Sequence, residues 1–248
     1  MELLKAILLF IWATLCYIDY KAPYSMIYRP VVAAPITGLI LGDPYMGALI
    51  GAQTGLIYLG VVEVGGALPP DPTMGSIVAT ILMIEGHLPI TQLGSVLLIA
   101  IPVSIVSSYW SGVVGYTIPI AFIHAGDRAA EKGQIGTMTA LHLGWYILSG
   151  PMAASLLLIF IFFPEMATAL AYLPAWINNG MYTVASVLTA VGLGMLLNVS
   201  YRPQYLGFFI LGFAFAAYFK LDVVGIVVLV AGIVFVVMNL VSRMETRK

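Results

Sequence analysis

Only 8% of the 248 residues are Asp, Glu, Lys or Arg, against about 25% in ordinary soluble domains, while 61% are hydrophobic and the mean hydropathy is +1.04. No aqueous core absorbs that much apolar surface, so a soluble enzyme is excluded and a helical protein that crosses a bilayer repeatedly is implied. The net charge of −1, without a basic cluster, gives no reason to expect nucleic acid, and the single Cys16 excludes a disulfide framework or CxxC metal site.

Along the chain, Ala6 to Ile18 reads as a retained first helix. Glu2 and Lys5 precede it, and no small-x-small cleavage site comes before the polar stretch Asp19–Lys21, which is expected at the interface. Two later places share one design, Leu41-Gly-Asp43-Pro44 and Pro69-Pro-Asp71-Pro72. In each, Asp caps a helix whose first turn holds Pro, where a missing N–H costs nothing. The spacing predicts helices from Pro44 to about Gly60 and from Pro72 to about Gly86, with Gly86-His87 ending the second. Gly47, Gly51 and Gly55 give the first of these a smooth face for close packing. Between them, Gly60 to Asp71 carries glycines and prolines that forbid a continuous helix. Irregular backbone at membrane depth must be buried in protein or line an aqueous cavity, so a polar site is expected here.

Gly86 to Gly126 holds no acid or base and is too long for one span, so it is expected to fold back. The charged stretch His124–Lys132 then reads as an amphipathic surface helix or a solvated connector. Gly133–Pro164, Met166–Tyr201 and Val223–Ser242 are further apolar runs, and Asn178-Asn179-Gly180 is expected as a turn or cap. Counting half-spans, about six to nine membrane segments fit. Arg243, Arg247 and Lys248, with Arg128 and Lys132, place the C-terminus and the 124–137 loop in the cytoplasm. The whole chain, 1–248, is expected to be one transmembrane domain, with halves 1–123 and 138–248 joined by that loop. Tyr28-Arg29-Pro30 and Tyr201-Arg202-Pro203 each open an apolar run that ends near an Asp, a match of three residues plus a trend that fits either chance or an internal repeat with broken helices in matching positions.

Acids in lipid need a reason to be there. Glu63 is either a carboxylate at an aqueous boundary or an acceptor for a substrate hydroxyl or amine. Asp71 is an N-cap, and a half-helix N-terminus also makes a natural ligand-facing end. Gln53 and Thr54 suit either a polyhydroxylated ligand or an interhelical hydrogen bond. The three histidines lack HExxH spacing and read as structural, with His87, beside a helix end, as the exception that could face substrate. The substrate-binding candidates are therefore Gln53, Thr54, Glu63, Asp71 and His87, with no catalytic residue, metal or cofactor. Neither GxxxxGK[ST], GxSxG nor a catalytic pair of carboxylates occurs, so any energy or chemistry must come from other chains. The pattern implies a carrier of a small polar solute; an ion-coupled secondary transporter using Asp19, Glu63 or Asp71 stays open on these residues alone.

The stretch Tyr28-Arg-Pro-Val-Val-Ala-Ala-Pro-Ile-Thr-Gly-Leu-Ile-Leu-Gly-Asp43 resembles an early segment of the IIC permease subunits of the mannose–fructose–sorbose class of the bacterial phosphotransferase system. The run from Gly47 to Gly60, Gly65-Gly-Ala-Leu-Pro-Pro-Asp71, His124–Gly133, Asn198 and Gly207–Phe213 continue the likeness in order over nearly the whole chain. The resemblance implies an inner-membrane, multi-pass, all-α bundle with re-entrant or broken helices and an elevator-type core. It implies a IID membrane partner in a trimer of heterodimers, and cytoplasmic IIA and IIB phosphocarriers. On that reading the chain binds a hexose or amino sugar and passes it inward for phosphorylation by IIB. Many members carry Thr-Leu-Glu or Thr-Leu-Gln after the position of Gly51; here the run is Gln53-Thr54-Gly55-Leu56, so Gly55 takes the place of the polar residue, and Asp71 is the safer transfer.

Overall fold

The computed structural model describes residues 2–21, 23–61, 69–163, 174–221 and 223–245, and every regular element among them is helical. The chain divides into two compact units, 1–197 and 198–248.

In the first unit, α1 (Leu3–Lys21) is about 28 Å long by its rise per residue, enough to cross the hydrocarbon core, and its mean hydropathy is 1.7. Leu9, Ala13, Cys16 and Tyr17 lie on one buried face, while Ile7, Ile11 and Leu15 point outward. Next come α2 (Pro30–Leu41) and α3 (Pro44–Ile57), about 18 and 21 Å long and so shorter than a span. They form a tight hairpin. Gly42 turns it at φ 101°, and Asp43 caps α3 by accepting from the Met46 N–H at 2.9 Å. The expected glycine face is where the two backbones meet. A Cβ on Gly47 would stand 2.6 Å from the Ala34 carbonyl oxygen, and one on Gly51 2.7 Å from that of Pro30.

The next helix, α4 (Pro72–Glu85), is buried on every side from Thr73 to Met83, which is why its sequence shows no polar face. Two of its hydroxyls are satisfied within the helix, Ser76 donating to the Thr73 carbonyl at 3.0 Å and Thr80 to that of Ser76 at 2.8 Å. It ends as its Gly86-His87 sequence implies. His87 takes φ 47°, and the Leu88 N–H reaches back to the Met83 carbonyl at 3.0 Å.

The Gly86–Gly126 run does not fold back. A 3-10 turn at Ile90–Gln92 leads into α5 (Leu93–Gly112), a π turn at Val113–Thr117 and α6 (Ile120–Glu131), together a helical stretch of 42 residues. Pro102 lies inside α5 and Pro119 precedes α6, yet neither reverses the chain. The reversal comes later, at Lys132–Gln134, where Gly133 takes φ 65°. The charged stretch is thus the last turns of α6, with His124 Nδ1 4.0 Å from Asp127. It is followed at once by α7 (Ile135–Ala154) and the short α8 (Leu157–Phe162).

The helix α9 (Ala175–Ser200) contains Asn178, Asn179 and Gly180 in its first turns, so they are not a turn; Thr183 donates its hydroxyl proton to the Asn179 carbonyl at 3.0 Å. Short polar residues favour caps, but a long apolar helix carries them when its other turns supply the stability. Gly192 of α9 seats on the end of α3, where a Cβ would meet the Leu56 carbonyl oxygen at 2.6 Å. The second unit holds a 3-10 turn at Pro203–Tyr205, α10 (Leu206–Ala217) and α11 (Val223–Glu245), with Phe208, Phe213, Val228 and Phe235 exposed.

Asp19, in the last turn of α1, is buried in protein. It is 3% exposed, and its carboxylate accepts from the Ser25 N–H at 2.7 Å and the Ile27 N–H at 3.0 Å. The loop that it ties includes Tyr24 and Met26 at φ 61° and 68°, a conformation that non-glycine residues hold only when the surroundings impose it. The tie packs Tyr20, Tyr24 and Tyr28 ring against ring, with centroids 5.0 to 6.3 Å apart.

Two outcomes follow from this packing. Gly47→Leu lowers the thermal transition of the purified protein by the equivalent of about 1–3 kcal/mol, because the Ala34 backbone cannot move aside. Gly144→Ala, facing open space, leaves the transition near its starting value, and equal transitions for the two variants would contradict the close contact. Asp19→Ala strips the acceptor from two loop amides, so hydrogen exchange at Ser25 and Ile27 rises by about tenfold or more. Unchanged exchange there would show that the loop holds its shape without the carboxylate.

Candidate functional site

Pro69, Pro70 and Pro72 stop the backbone from entering α4 as a continuous helix, and Asp71 repairs the break. One carboxylate oxygen accepts from the N–H groups of Thr73 at 2.9 Å and Met74 at 3.1 Å. The other accepts from the Tyr17 hydroxyl of α1 and from the Ser107 hydroxyl of α5, the latter at 2.7 Å. The Asp71 N–H donates to the Ser104 carbonyl of α5 at 3.0 Å. One side chain therefore joins three helices, and all four of its principal acceptor positions are in use.

A polar stripe on α5 completes this wall. Ser104 accepts from the Tyr58 hydroxyl at 2.9 Å, and Ser108 donates to the Pro69 carbonyl. The Ser111 hydroxyl oxygen is buried and has no hydrogen-bond partner among the described residues. These serines lie at i, i+3, i+4 and i+7, one face of a helix. That spacing stood in the sequence as the signal of a polar face inside an apolar run, and the sequence reading overlooked it. Tyr17 carried no such signal, since one tyrosine on an apolar helix looks like core.

Asp71 opens onto a cavity of about 550 Å³. Tyr20, Tyr24, Tyr28, Tyr116 and Trp145 supply aromatic wall, Ser108 and Ser111 supply hydroxyls, and Lys21 and Arg29 supply positive charge. The Lys21 ammonium sits 5.8 Å from the centre of the Trp145 ring, and the Arg29 guanidinium 5.4 Å from that of Tyr28. Such a chamber fits a small ligand with apolar faces and several hydroxyls.

Of the candidates from sequence, Asp71 is in this cavity. Glu63 falls outside the described residues. Thr54 is buried and donates its proton to the Ile50 carbonyl at 2.6 Å, and Gln53 is half-buried on α3; neither is among the described residues that line the cavity. His87 is at the other end of α4, about 21 Å from Asp71, where it lines a separate cavity of about 400 Å³ with Glu2, Lys5 and Glu85. The structure does not bring it together with Asp71.

Comparison with known proteins gives this architecture a family. The chain is 33% identical over 241 residues to the sorbose-specific EIIC component of the phosphotransferase system of Lacticaseibacillus casei, covering 95% of this chain and 86% of the relative. A solved structure described only as a membrane protein superposes with a TM-score of 0.84 at 28% identity, covering 98% of this chain and 96% of that one. A second, the mannose transporter ManYZ in complex with microcin E492, superposes with a TM-score of 0.62 at 28% identity and the same coverage. The family model for the sorbose-specific IIC component of the phosphotransferase system matches residues 3–238, and the chain belongs to that family.

Proposed function

We propose that this chain binds a hexose or an amino sugar in the Asp71 cavity and passes it inward to a IIB partner that phosphorylates it. As a IIC component it is an inner-membrane, sugar-translocating subunit, and the phosphorylation is done by other subunits of the system. The observation that carries the assignment of the site is the Asp71 carboxylate, held by the Tyr17 and Ser107 hydroxyls at the start of a buried helix and facing a chamber walled with aromatic rings. Rings cover the C–H faces of a sugar, while fixed hydroxyls and a carboxylate meet its OH groups. Because the acceptor positions of Asp71 are filled, a sugar hydroxyl enters by sharing or replacing the Tyr17 or Ser107 bond. Gln53, Thr54, Glu63 and His87 remain candidates for contacts made in another state of the transport cycle.

The position of the cavity supports inward delivery. Gly150 of α7 abuts the Thr14 carbonyl of α1, and Trp145 stacks on Lys21, so the two helices run antiparallel. The start of α7 therefore extends about 15 Å past the Lys21 end of α1. The cavity is on that side, with the α6–α7 turn and its Arg128 and Lys132, and basic turns favour the cytoplasm. On this reading the segment holding Asp71 moves in an elevator-like displacement. Tyr28-Arg29-Pro30 opens α2 and Tyr201-Arg202-Pro203 opens the approach to α10, both helices of 12 residues, which supports an internal repeat between halves 1–123 and 138–248. The exposed phenylalanines of α10 and α11 suit lipid or a IID partner in a trimer of heterodimers, and IIA and IIB complete the phosphate relay.

Membrane vesicles carrying the complete system are expected to take up sugar only with phosphoenolpyruvate and to accumulate it as the phosphate. Gradient-driven accumulation of unmodified solute without IIB would sink this function. Asp71→Asn keeps the cap through its side-chain oxygen but weakens the hydroxyl pair, so sugar binding falls by about tenfold, in line with roughly 1–3 kcal/mol for disturbed buried polar groups. Glu63→Gln is expected to weaken binding in the same assay. Normal binding and transport in both variants would remove the site from this break.

A further inference from the structure

We propose that the Asp71 cavity also grips a phosphoryl group, through Lys21 and Arg29; this rests on reading the cavity as the sugar site. The charge balance points there. Among the described lining residues Lys21 and Arg29 are two cations against one carboxylate, and that carboxylate is already saturated by two N–H groups and two hydroxyls. Asp19, the nearby acid in sequence, spends its oxygens on the Ser25 and Ile27 amides. Among the described residues neither cation has a carboxylate within ion-pair distance.

Each cation instead lies over an aromatic ring, which fixes its position without giving its N–H donors an acceptor. Half-buried cations left in this state hold an unmet demand for anionic oxygen. A neutral hexose offers hydroxyl acceptors but no charge to balance the two cations. A phosphoryl group supplies it, with oxygens that a guanidinium can take in pairs and an ammonium can take as a point charge. Helix direction adds to the field. Thr73, in the first turn of α4, donates its hydroxyl proton to the Tyr28 carbonyl at 3.0 Å, so the N-termini of α2 and α4 meet beside Arg29. Lys21 and Arg29 make and break no bond on this reading; they hold the anion. The phosphoryl group can arrive on the sugar or on the phosphorylated donor protein, and the shared chemistry is the phosphoryl oxygens.

The test uses the complete membrane complex in nanodiscs of neutral lipid. It is titrated with mannose, mannose 6-phosphate, sorbose and sorbose 1-phosphate, and with the IIB protein in phosphorylated and unphosphorylated form. For whichever sugar binds, its phosphate is expected to bind too, with affinity that drops as salt rises. Lys21→Gln and Arg29→Gln each weaken the phosphate by about tenfold and the free sugar by less than about threefold, and Lys21→Arg restores most of the loss. If instead only phosphorylated IIB loses affinity in the variants, the group is read on the donor, and the proposal stands in that form. Equal weakening of free sugar and sugar phosphate, or no change for either phosphorylated species, overturns it. Free-sugar binding that ignores Asp71→Asn strikes the sugar site itself, a separate failure.

Discussion

A helix that begins inside a membrane protein must find partners for its first N–H groups without help from water, and the structure turns on how Asp71 does this. An unsatisfied amide at such depth costs on the order of 1–3 kcal/mol, more in hydrocarbon. Asp71 meets two of these amides and brings its own negative charge to the positive end of α4. Its other oxygen is then held at the junction of α1 and α5, where Tyr17 and Ser107 donate to it. The solution to a local backbone problem thereby fixes three helices around one polar point at the wall of the cavity.

Asp19 solves a related problem in the same way. It is buried, and it spends its charge on backbone amides of the loop that carries Tyr24 and Tyr28. Among the described residues, both Asp19 and Asp71 thus have their oxygens satisfied by amides and hydroxyls and not by Lys21 or Arg29. Had either formed an ion pair, the desolvation of both charges would have been offset within the protein and the chamber would be close to neutral. Using amides and hydroxyls for the acids leaves the cations to the chamber and its contents.

The helix starts were legible because their chemistry is local. Asp43-Pro44 and Asp71-Pro72 carry cap and first turn in adjacent residues, and the structure places α3 and α4 where those signals lie. The glycine face of α3 was legible for the same reason, since its period is that of the helix. Asp19 was not, because its partners are amides six and eight residues on, in a loop whose left-handed residues are Tyr and Met where glycine would have marked the turn. The long charge-free run misled through length alone: a helix can outlast the bilayer when its far end turns polar, as α6 does at Asp127, Arg128 and Glu131. The serine stripe of α5 was present as a period but was read as part of an apolar run, since serine's short side chain hardly lowers mean hydropathy.

Helix length decides where a polar site can be. At 12 to 14 residues, α2, α3 and α4 cover about 18 to 21 Å, roughly two-thirds of the hydrocarbon thickness. Full spans would put every cap at a wet surface, and no cap would need protein partners. Short helices move some ends inward, where each must be packed or paired. Glycine contacts such as Gly47 on Ala34 let α2 and α3 approach closely enough to shield the helix beside them, and α4 is buried all round. One end of α4 closes on itself through the left-handed His87, which needs no ligand. The other end requires a carboxylate, and a carboxylate with ordered hydroxyl donors in a ring-lined chamber is already most of what recognition of a polyhydroxylated solute demands.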